Sequence, residues 1–155
     1  MREVKDMGYT QETDPETTSR ALGIEYSVSP KHCREVCKEL IGMKVEDAKK
    51  YLKDVAELKT PVPFTRFKMY LNPKPKIGPG RYPRNAALGI LKVIESAQSN
   101  AEYKGLDADN MRVKVATANR GRIEKSMMPR AQGRSTPWNE QTTNIEIILE
   151  EVKAS

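Results

Sequence analysis

Histidine and cysteine are scarce in this sequence, and their scarcity weakens several kinds of functional site. The 155 residues include one histidine, His32, and two cysteines, Cys33 and Cys37. A zinc site needs about four ligands, usually arranged as two pairs, and no second pair is present. We therefore expect the cysteines to be buried core thiols of a reducing compartment. A catalytic triad or a Cys–His pair would have to use His32, which has no nucleophile motif near it. The chain is predicted not to be an enzyme.

Long apolar runs are also missing. No stretch approaches the roughly 20 residues that span a bilayer, and the N-terminal segment lacks the apolar core of a signal peptide. We therefore expect a cytoplasmic protein. Its length suits one domain with a substantial core. Because 37% of the residues are hydrophobic and 31% are charged, part of the chain is expected to lie outside that core.

Charge is distributed unevenly along the chain. The formal net charge is +6, but residues 1–29 hold three basic and six acidic side chains, and residues 140–155 hold one basic and four acidic. Residues 30–139 therefore carry 23 basic against 11 acidic side chains. A basic middle between acidic ends favours a polyanionic partner, most commonly nucleic acid. A charged, solvated surface is the alternative.

Hydrophobic periodicity predicts the elements of an α+β fold. We interpret residues 1–22 as an irregular N-terminal extension and residues 23–155 as a single RNA-binding domain. The fold class is three helices packed on a small, mainly antiparallel three-stranded sheet, with a long protruding β-hairpin. The predicted elements are a strand at 24–29, a helix from Pro30 to before Gly42, a helix with a buried stripe from Val45 to Leu58, a helix from about Pro83 to Gly105, and strands at 111–117 and 144–150.

Residues 59–84, called the basic loop below, contain six of the ten prolines, seven Lys or Arg, four aromatics and no acid. Such a segment should form neither a regular helix nor a central strand, and we expect it to be ordered only where something anionic organises it. Its cations would follow phosphates while its rings stack on unpaired bases. Alternatively, Phe64 and Tyr82 pin the loop to the core. The predicted RNA-binding residues of the loop are Arg66, Lys68, Lys74, Lys76, Arg81 and Arg84, and the other two aromatics are Phe67 and Tyr70.

Residues 118–143, called the finger below, separate two predicted strands by 26 residues, whereas a hairpin usually needs about two to five. We expect the flanking strands to continue outward as a two-stranded ribbon. Exposed apolar side chains in the finger should meet a partner surface; they are Met127, Met128 and Trp138. The finger has one acid, Glu124, and five cations that are predicted to bind RNA; they are Arg120, Arg122, Lys125, Arg130 and Arg134.

Several motifs occur in an order typical of one family. They are YSVSPKHCREVCKELIGMKVEDAKKYL, PVPF, GRYPRNAA, SAQSNAEYKGLD and MPRAQGR, followed by a closing strand. With them the chain closely resembles, over roughly residues 20–151, the large-subunit ribosomal protein numbered twenty-two, in its archaeal form. Members often carry additional basic residues where this chain has Ser126 and Met127, and many have His where it has Asn144.

The resemblance implies a structural protein of the large ribosomal subunit that clamps several domains of the ribosomal RNA during assembly. Its globular part would lie near the mouth of the polypeptide exit tunnel, and its hairpin would line the tunnel. Carried over by position, Arg130, Gly133 and Arg134 would contact RNA, and Met127, Met128, Pro129 and Arg130 would form the tunnel-lining tip. The implied partners are large-subunit ribosomal RNA, neighbouring ribosomal proteins and the nascent polypeptide. No cofactor, metal, membrane or homo-oligomer is expected.

Two other functions fit parts of the pattern. A free-standing RNA chaperone or ribosome assembly factor would need the same basic middle. A small nucleic-acid enzyme could use Asp107 and Asp109 with magnesium, although the sequence DADN before a strand is ordinary turn composition.

Overall fold

A computed structural model describes residues 8–152, except for the side chain of Asp109. Its three helices are α1 (Pro30–Leu40), α2 (Val45–Ala56) and α3 (Arg84–Lys104). Its strands are β1 (Thr18–Tyr26), β2 (Val62–Pro63), β3 (Pro73–Lys74), β4 (Gly78–Arg81), β5 (Met111–Glu124), β6 (Met127–Pro129), β7 (Ser135–Pro137) and β8 (Glu140–Glu151).

The main sheet is antiparallel, with the strand order β1-β8-β5. All three helices contact this sheet, and α2 and α3 also contact each other. The predicted α+β class, with helices on a small antiparallel three-stranded sheet and a long hairpin, is confirmed. Within residues 8–152, no helix combines the length and apolar composition needed to cross a membrane.

Helix α1 forms because Pro30 occupies its first turn, where a missing N–H costs nothing, and because apolar residues recur on one face. Cys33, Val36, Cys37 and Leu40 are all buried, as predicted. Burial raises the pKa of the Cys33 thiol to about 12 and also raises the pKa of Cys37, to which the nearby Cys33 adds. Both thiols are therefore neutral core groups, since reactivity requires the thiolate.

Helix α3 lies across β1 and β8 and supplies much of the core. Ile90 and Ile94 are fully buried, and the helix ends at Gly105 in the left-handed conformation (φ 76°) that glycine adopts without steric cost. The hydroxyl of Ser19 on β1 donates a 2.6 Å hydrogen bond to the Ala97 carbonyl of α3. That bond satisfies a polar side chain within the core.

The first strand differs from the prediction. It spans Thr18–Tyr26, so residues 18–22 belong to β1 rather than to an irregular extension; residues 1–7 of that extension lie outside the described part. Ile24, an apolar residue at the start of the predicted strand 24–29, is 51% exposed, and a bulge follows Gly23. Residues 18–22 pair with β8, from Thr18 opposite Glu150 onward. Because the paired residues are far apart in the sequence, no local sequence pattern predicts this part of the strand.

Helix α2 matches its predicted stripe except at the C-terminal end. Val45, Ala48, Leu52 and Val55 are buried. Leu58 lies beyond the last helical residue and is 56% exposed. Its φ of 63° places it in a left-handed turn, so the helical period no longer applies there.

Gly23 packs closely between the Tyr26 ring and α3. A Cβ atom there would lie 2.5 Å from the Tyr26 ring and 2.7 Å from a Val93 methyl. We expect Gly23→Ala to lower the free energy of unfolding by about 1–3 kcal/mol, because overpacking displaces both neighbours. Denaturant unfolding measures this. The control Gly8→Ala, with open space around its Cβ, should leave stability within about 0.5 kcal/mol, and equal stability of both variants would contradict the packing argument.

Candidate nucleic-acid interface

The basic loop is a folded unit. Its strands form a small antiparallel sheet in the order β2-β4-β3, so the expectation that no central strand forms there is wrong. Strand β4 contains Pro79, which has no N–H, but its carbonyl accepts a 2.9 Å hydrogen bond from the Phe64 amide. Val62 and Phe64 are buried and anchor the loop to the core.

A carboxylate of the protein itself organises this acid-free loop. Glu35 on α1 is 2% exposed. Its Oε2 accepts hydrogen bonds from the amide and hydroxyl of Thr65 at 3.0 and 3.1 Å. Its Oε1 accepts from the amides of Arg66 and Phe67 at 3.0 and 3.2 Å. The anion that was expected to organise the loop is therefore present within the domain.

These hydrogen bonds set the ionisation of Glu35. Burial alone would raise the pKa of its carboxyl group, but the three backbone N–H groups and the Thr65 hydroxyl outweigh burial, and the pKa is lowered. A carboxylate that accepts several N–H donors is stabilised in its charged form. The backbone from Thr65 to Phe67 is thus held by an ionised group at neutral pH.

Replacing Glu35 tests this organisation. We expect Glu35→Gln to lower the free energy of unfolding by about 2–3 kcal/mol, because the amide NH2 cannot accept the donors that one carboxylate oxygen serves. Amide exchange at residues 65–67 should accelerate. The exposed Glu95→Gln on α3 is the matched control and should behave like the wild type.

The same variant has a pH signature. Since the pKa of Glu35 is lower in the folded state, its stabilisation is complete above the ordinary pKa of 4.5 and is lost as pH falls through the folded value. The stability difference between wild type and Glu35→Gln should therefore shrink as pH falls below 4.5. A difference that stayed constant down to about pH 2, well below the ordinary carboxyl range, would mean that the carboxylate charge is not responsible.

The loop presents most of its predicted RNA-binding cations to solvent. Lys74 is half-buried, with its ammonium 5.5 Å from the centre of the Tyr82 ring. Of the four aromatics, Phe64 is a core anchor, Phe67 and Tyr82 are half-buried, and Tyr70 is 96% exposed. The exposed cations are Arg66, Lys68, Lys76, Arg81 and Arg84.

The loop and helix α1 enclose a cavity of about 300 Å³, called the aromatic pocket below. Its lining includes Lys31, His32, Phe64, Arg66, Phe67 and Arg81. The His32 and Phe64 rings meet edge to face, 5.5 Å between centroids. Burial, and then the charges of Arg81 and Lys31, lower the pKa of His32, so the imidazole is neutral at pH 7.

Lys31 connects the loop to the finger. It lines the aromatic pocket with Arg66 and Arg81, and it also lines a second cavity, of about 570 Å³, with Arg120 and Glu140 at the base of the finger. Lys31 and His32 were not predicted to belong to a basic surface, because they are part of neither basic segment. Only the packing of α1 between the two segments brings them together.

The finger is a two-stranded ribbon at its base, as predicted. β5 and β8 remain paired from Ala118 opposite Ile145 out to Glu124 opposite Glu140. An irregularity between Arg120 and Ile123 is fixed from the opposite strand. There the side-chain amide of Gln141 donates to the Gly121 carbonyl at 2.8 Å, and the Thr142 hydroxyl donates to the Arg122 carbonyl at 2.7 Å.

Gly121 is required at this irregularity. A Cβ atom at residue 121 would lie 2.5 Å from the Thr142 hydroxyl and 3.0 Å from Asn144 Oδ1. Asn144 Oδ1 also accepts a 2.9 Å hydrogen bond from the backbone N–H of Glu25. The Asn144 side chain therefore connects the base of the finger to β1.

The tip is a second short hairpin in which β6 and β7 pair, with Met127 opposite Pro137. The Arg130 amide donates to the Arg134 carbonyl at 2.8 Å, and the turn between them uses left-handed Gln132 and Gly133. Met127 and Trp138 are 60% and 51% exposed. The structure brings together all the residues predicted for the tip: Met127, Met128, Pro129, Arg130, Gly133 and Arg134.

The ion pairs of the main sheet lie at the start of β5, before the finger begins. Glu150 forms ion pairs with Lys114 at 2.6 Å and Arg112 at 3.1 Å, and hydrogen bonds from first Lys114 and then Arg112 lower the pKa of Glu150. Within residues 8–152, no ion pair involves a finger cation. These exposed cations are Arg120, Arg122, Lys125, Arg130 and Arg134. Glu150 of β8 thus neutralises two cations at the start of β5.

The magnesium alternative depends on Asp107 and Asp109. The side chain of Asp109 lies outside the described part. The Asp107 carboxylate accepts a 2.6 Å hydrogen bond from the side-chain amide of Asn110 in the turn before β5. In the described part of the chain, no group of three or more His, Cys, Asp or Glu residues is arranged to hold a metal ion.

Known proteins resemble this chain over nearly its whole length. Residues 21–150 match the sequence profile of the family described as ribosomal protein L22p/L17e. The large ribosomal subunit protein uL22 of Methanocella arvoryzae is 44% identical over 150 residues, covering 95% of this chain and 98% of that protein. The proteins of the same name from Methanococcoides burtonii and Methanocaldococcus jannaschii are each 45% identical over 146 residues. They cover 94% and 92% of this chain and 97% and 94% of their own lengths.

Proposed function

The chain belongs to the ribosomal protein L22p/L17e family, and on this basis we propose that it is a structural constituent of the large ribosomal subunit in the cytoplasm. Its basic loop and finger bind large-subunit ribosomal RNA. Neighbouring large-subunit proteins complete its surroundings. The role is architectural, with no catalytic step.

One observation carries the proposal: within residues 8–152 the cations of the finger are exposed and form no ion pair, on a ribbon that leaves the core. From Asn119 to the tip turn the ribbon reaches roughly 35–40 Å, at about 3.3 Å per residue. A flat polyanion would need no such reach, whereas folded RNA has depth and recesses. Unpaired cations at both ends of the ribbon suit phosphates on separate RNA segments, which is the chemistry of an assembly clamp.

The tip suits the lining of the polypeptide exit tunnel. Met127 and Trp138 expose apolar surface at the end of a basic ribbon, and such surface in water marks a contact site. In our proposal Met127, Met128, Pro129 and Arg130 face the nascent polypeptide, and Arg130, Gly133 and Arg134 contact RNA. The globular domain then lies near the mouth of the tunnel.

The alternative is a free-standing RNA chaperone or assembly factor, which would use the same cations without a fixed position on one RNA. Sedimentation of a native cell lysate through a sucrose gradient after a high-salt wash separates the two. We expect the chain to remain with the large subunit, since an RNA-embedded protein is held by many contacts at once. Release into the free fraction would instead favour the chaperone or assembly factor.

Charge removal at the tip should weaken binding with a defined salt signature. We expect Arg130→Gln combined with Arg134→Gln to lower the affinity for a large-subunit ribosomal RNA transcript. The slope of log K against log salt should flatten by about 0.7–0.9 for each phosphate that the variant no longer neutralises. Filter binding over a salt series measures both quantities.

The matched control removes two exposed cations from α2, by Lys50→Gln and Lys53→Gln. Acids flank these lysines on the same helix, so their removal should change the slope less. Equal slopes for the tip variant and the wild type would exclude the two arginines from the interface.

A further inference from the structure

We propose that the aromatic pocket is a binding site for a single unstacked nucleotide of the RNA, with the base inside the pocket and its phosphates at the rim. The inference rests on the proposed function, because it names how the same RNA is held at one place. It adds Lys31 and His32 to the interface, neither of which was among the predicted RNA-binding residues, and it gives the stacking role predicted for the rings of the loop to Phe67 in particular.

The size and lining of the pocket fit one base. Its volume of about 300 Å³ lies at the small end of the range for ligand pockets, about 300–1,000 Å³. His32, Phe64 and Phe67 contribute aromatic rings. Unpaired bases of folded RNA stack on such rings and on arginine guanidinium planes. The neutral imidazole of His32 offers one donor and one acceptor to the edge of a base.

The charges of the pocket fit phosphate. Lys31 and Arg66 both lie 5.7 Å from the centre of the Phe67 ring, so the ring holds two cations at the rim. Arg81 supplies a third. Within residues 8–152, none of these three forms an ion pair. The hydrogen bonds of Glu35 go to the loop backbone and Thr65 rather than to these side chains.

The walls are fixed before any RNA arrives. Phe64 is buried and its amide is bonded to β4, and Glu35 holds the backbone of Arg66 and Phe67. A preformed pocket spares the ordering cost that a flexible loop would incur on binding. The cations and rings therefore belong to a built site rather than to a mobile basic segment.

Phe67→Leu is the diagnostic variant, because it removes the ring and retains an apolar side chain. We expect its affinity for a large-subunit ribosomal RNA transcript to fall about tenfold, within the range for loss of one stacked base. The salt slope should be unchanged, since no charge is removed. Tyr103→Leu, which removes a 94% exposed ring from α3, should bind like the wild type.

Since Phe67 also packs partly against the core, a second measurement uses the unaltered protein. Ultraviolet crosslinking to the same transcript, followed by peptide mass spectrometry, should give a nucleotide adduct on His32 or Phe67. An excess of free nucleoside monophosphates, present during irradiation, should not prevent formation of the adduct, because a nucleotide within RNA adds neighbouring phosphates to the rim. Loss of the adduct in their presence would overturn the assignment to RNA.

Wild-type affinity and salt slope in Phe67→Leu, with adducts only outside the pocket, would overturn this inference and leave the proposed function intact. A wild-type protein that binds unrelated RNA as tightly as the large-subunit transcript would overturn both. Tenfold weaker binding together with an adduct on His32 or Phe67 would establish the pocket.

Discussion

The contact between Glu35 and the basic loop is the interaction on which the rest of the interface depends. A segment with seven cations, six prolines and no acid repels itself and has few amides available for a ladder. One buried carboxylate receives three of its backbone N–H groups and a hydroxyl. Hydrogen bonds to a charged acceptor are worth about 1.5–3 kcal/mol each, which is enough to offset the burial of the charge. With the backbone fixed, the positions of Arg66, Phe67 and the pocket walls follow.

The two basic segments act as one surface because α1 lies between them. The Glu35 side chain of that helix fixes the loop, and Lys31, one turn earlier, lines both the pocket and the groove at the finger base. Glu150 is occupied by Arg112 and Lys114 on the main sheet, on the part of β5 that precedes the finger.

Local pattern was sufficient for the helices and for the existence of the finger. The face of α1 and the glycine end of α3 depend on residues close together in the sequence, and each strand that leads into the finger has its own local alternation. What could not be predicted depends on distant pairing. Residues 18–22 form a strand by pairing with β8, Ile24 is exposed at a bulge, and Glu35 holds the loop backbone from Thr65 to Phe67. The available signal was Glu35, an acid on a helix of a chain whose basic loop has no acid of its own. Helical spacing alone does not show what the Glu35 carboxylate contacts.

The strand order β1-β8-β5 also fixes when the domain can be completed during synthesis. The central strand, β8, ends at Glu151, and its partner β1 begins at Thr18. Residues more than a hundred positions apart therefore meet in one sheet, and the sheet cannot close until β8 has been made. Contacts of such high sequence separation form slowly because loop closure costs entropy. Until then β1 and β5 lack the strand that pairs with both, although the cations of the basic loop and of the β5 arm of the finger have already been made. These cations are therefore open to other polyanions before the main sheet has formed.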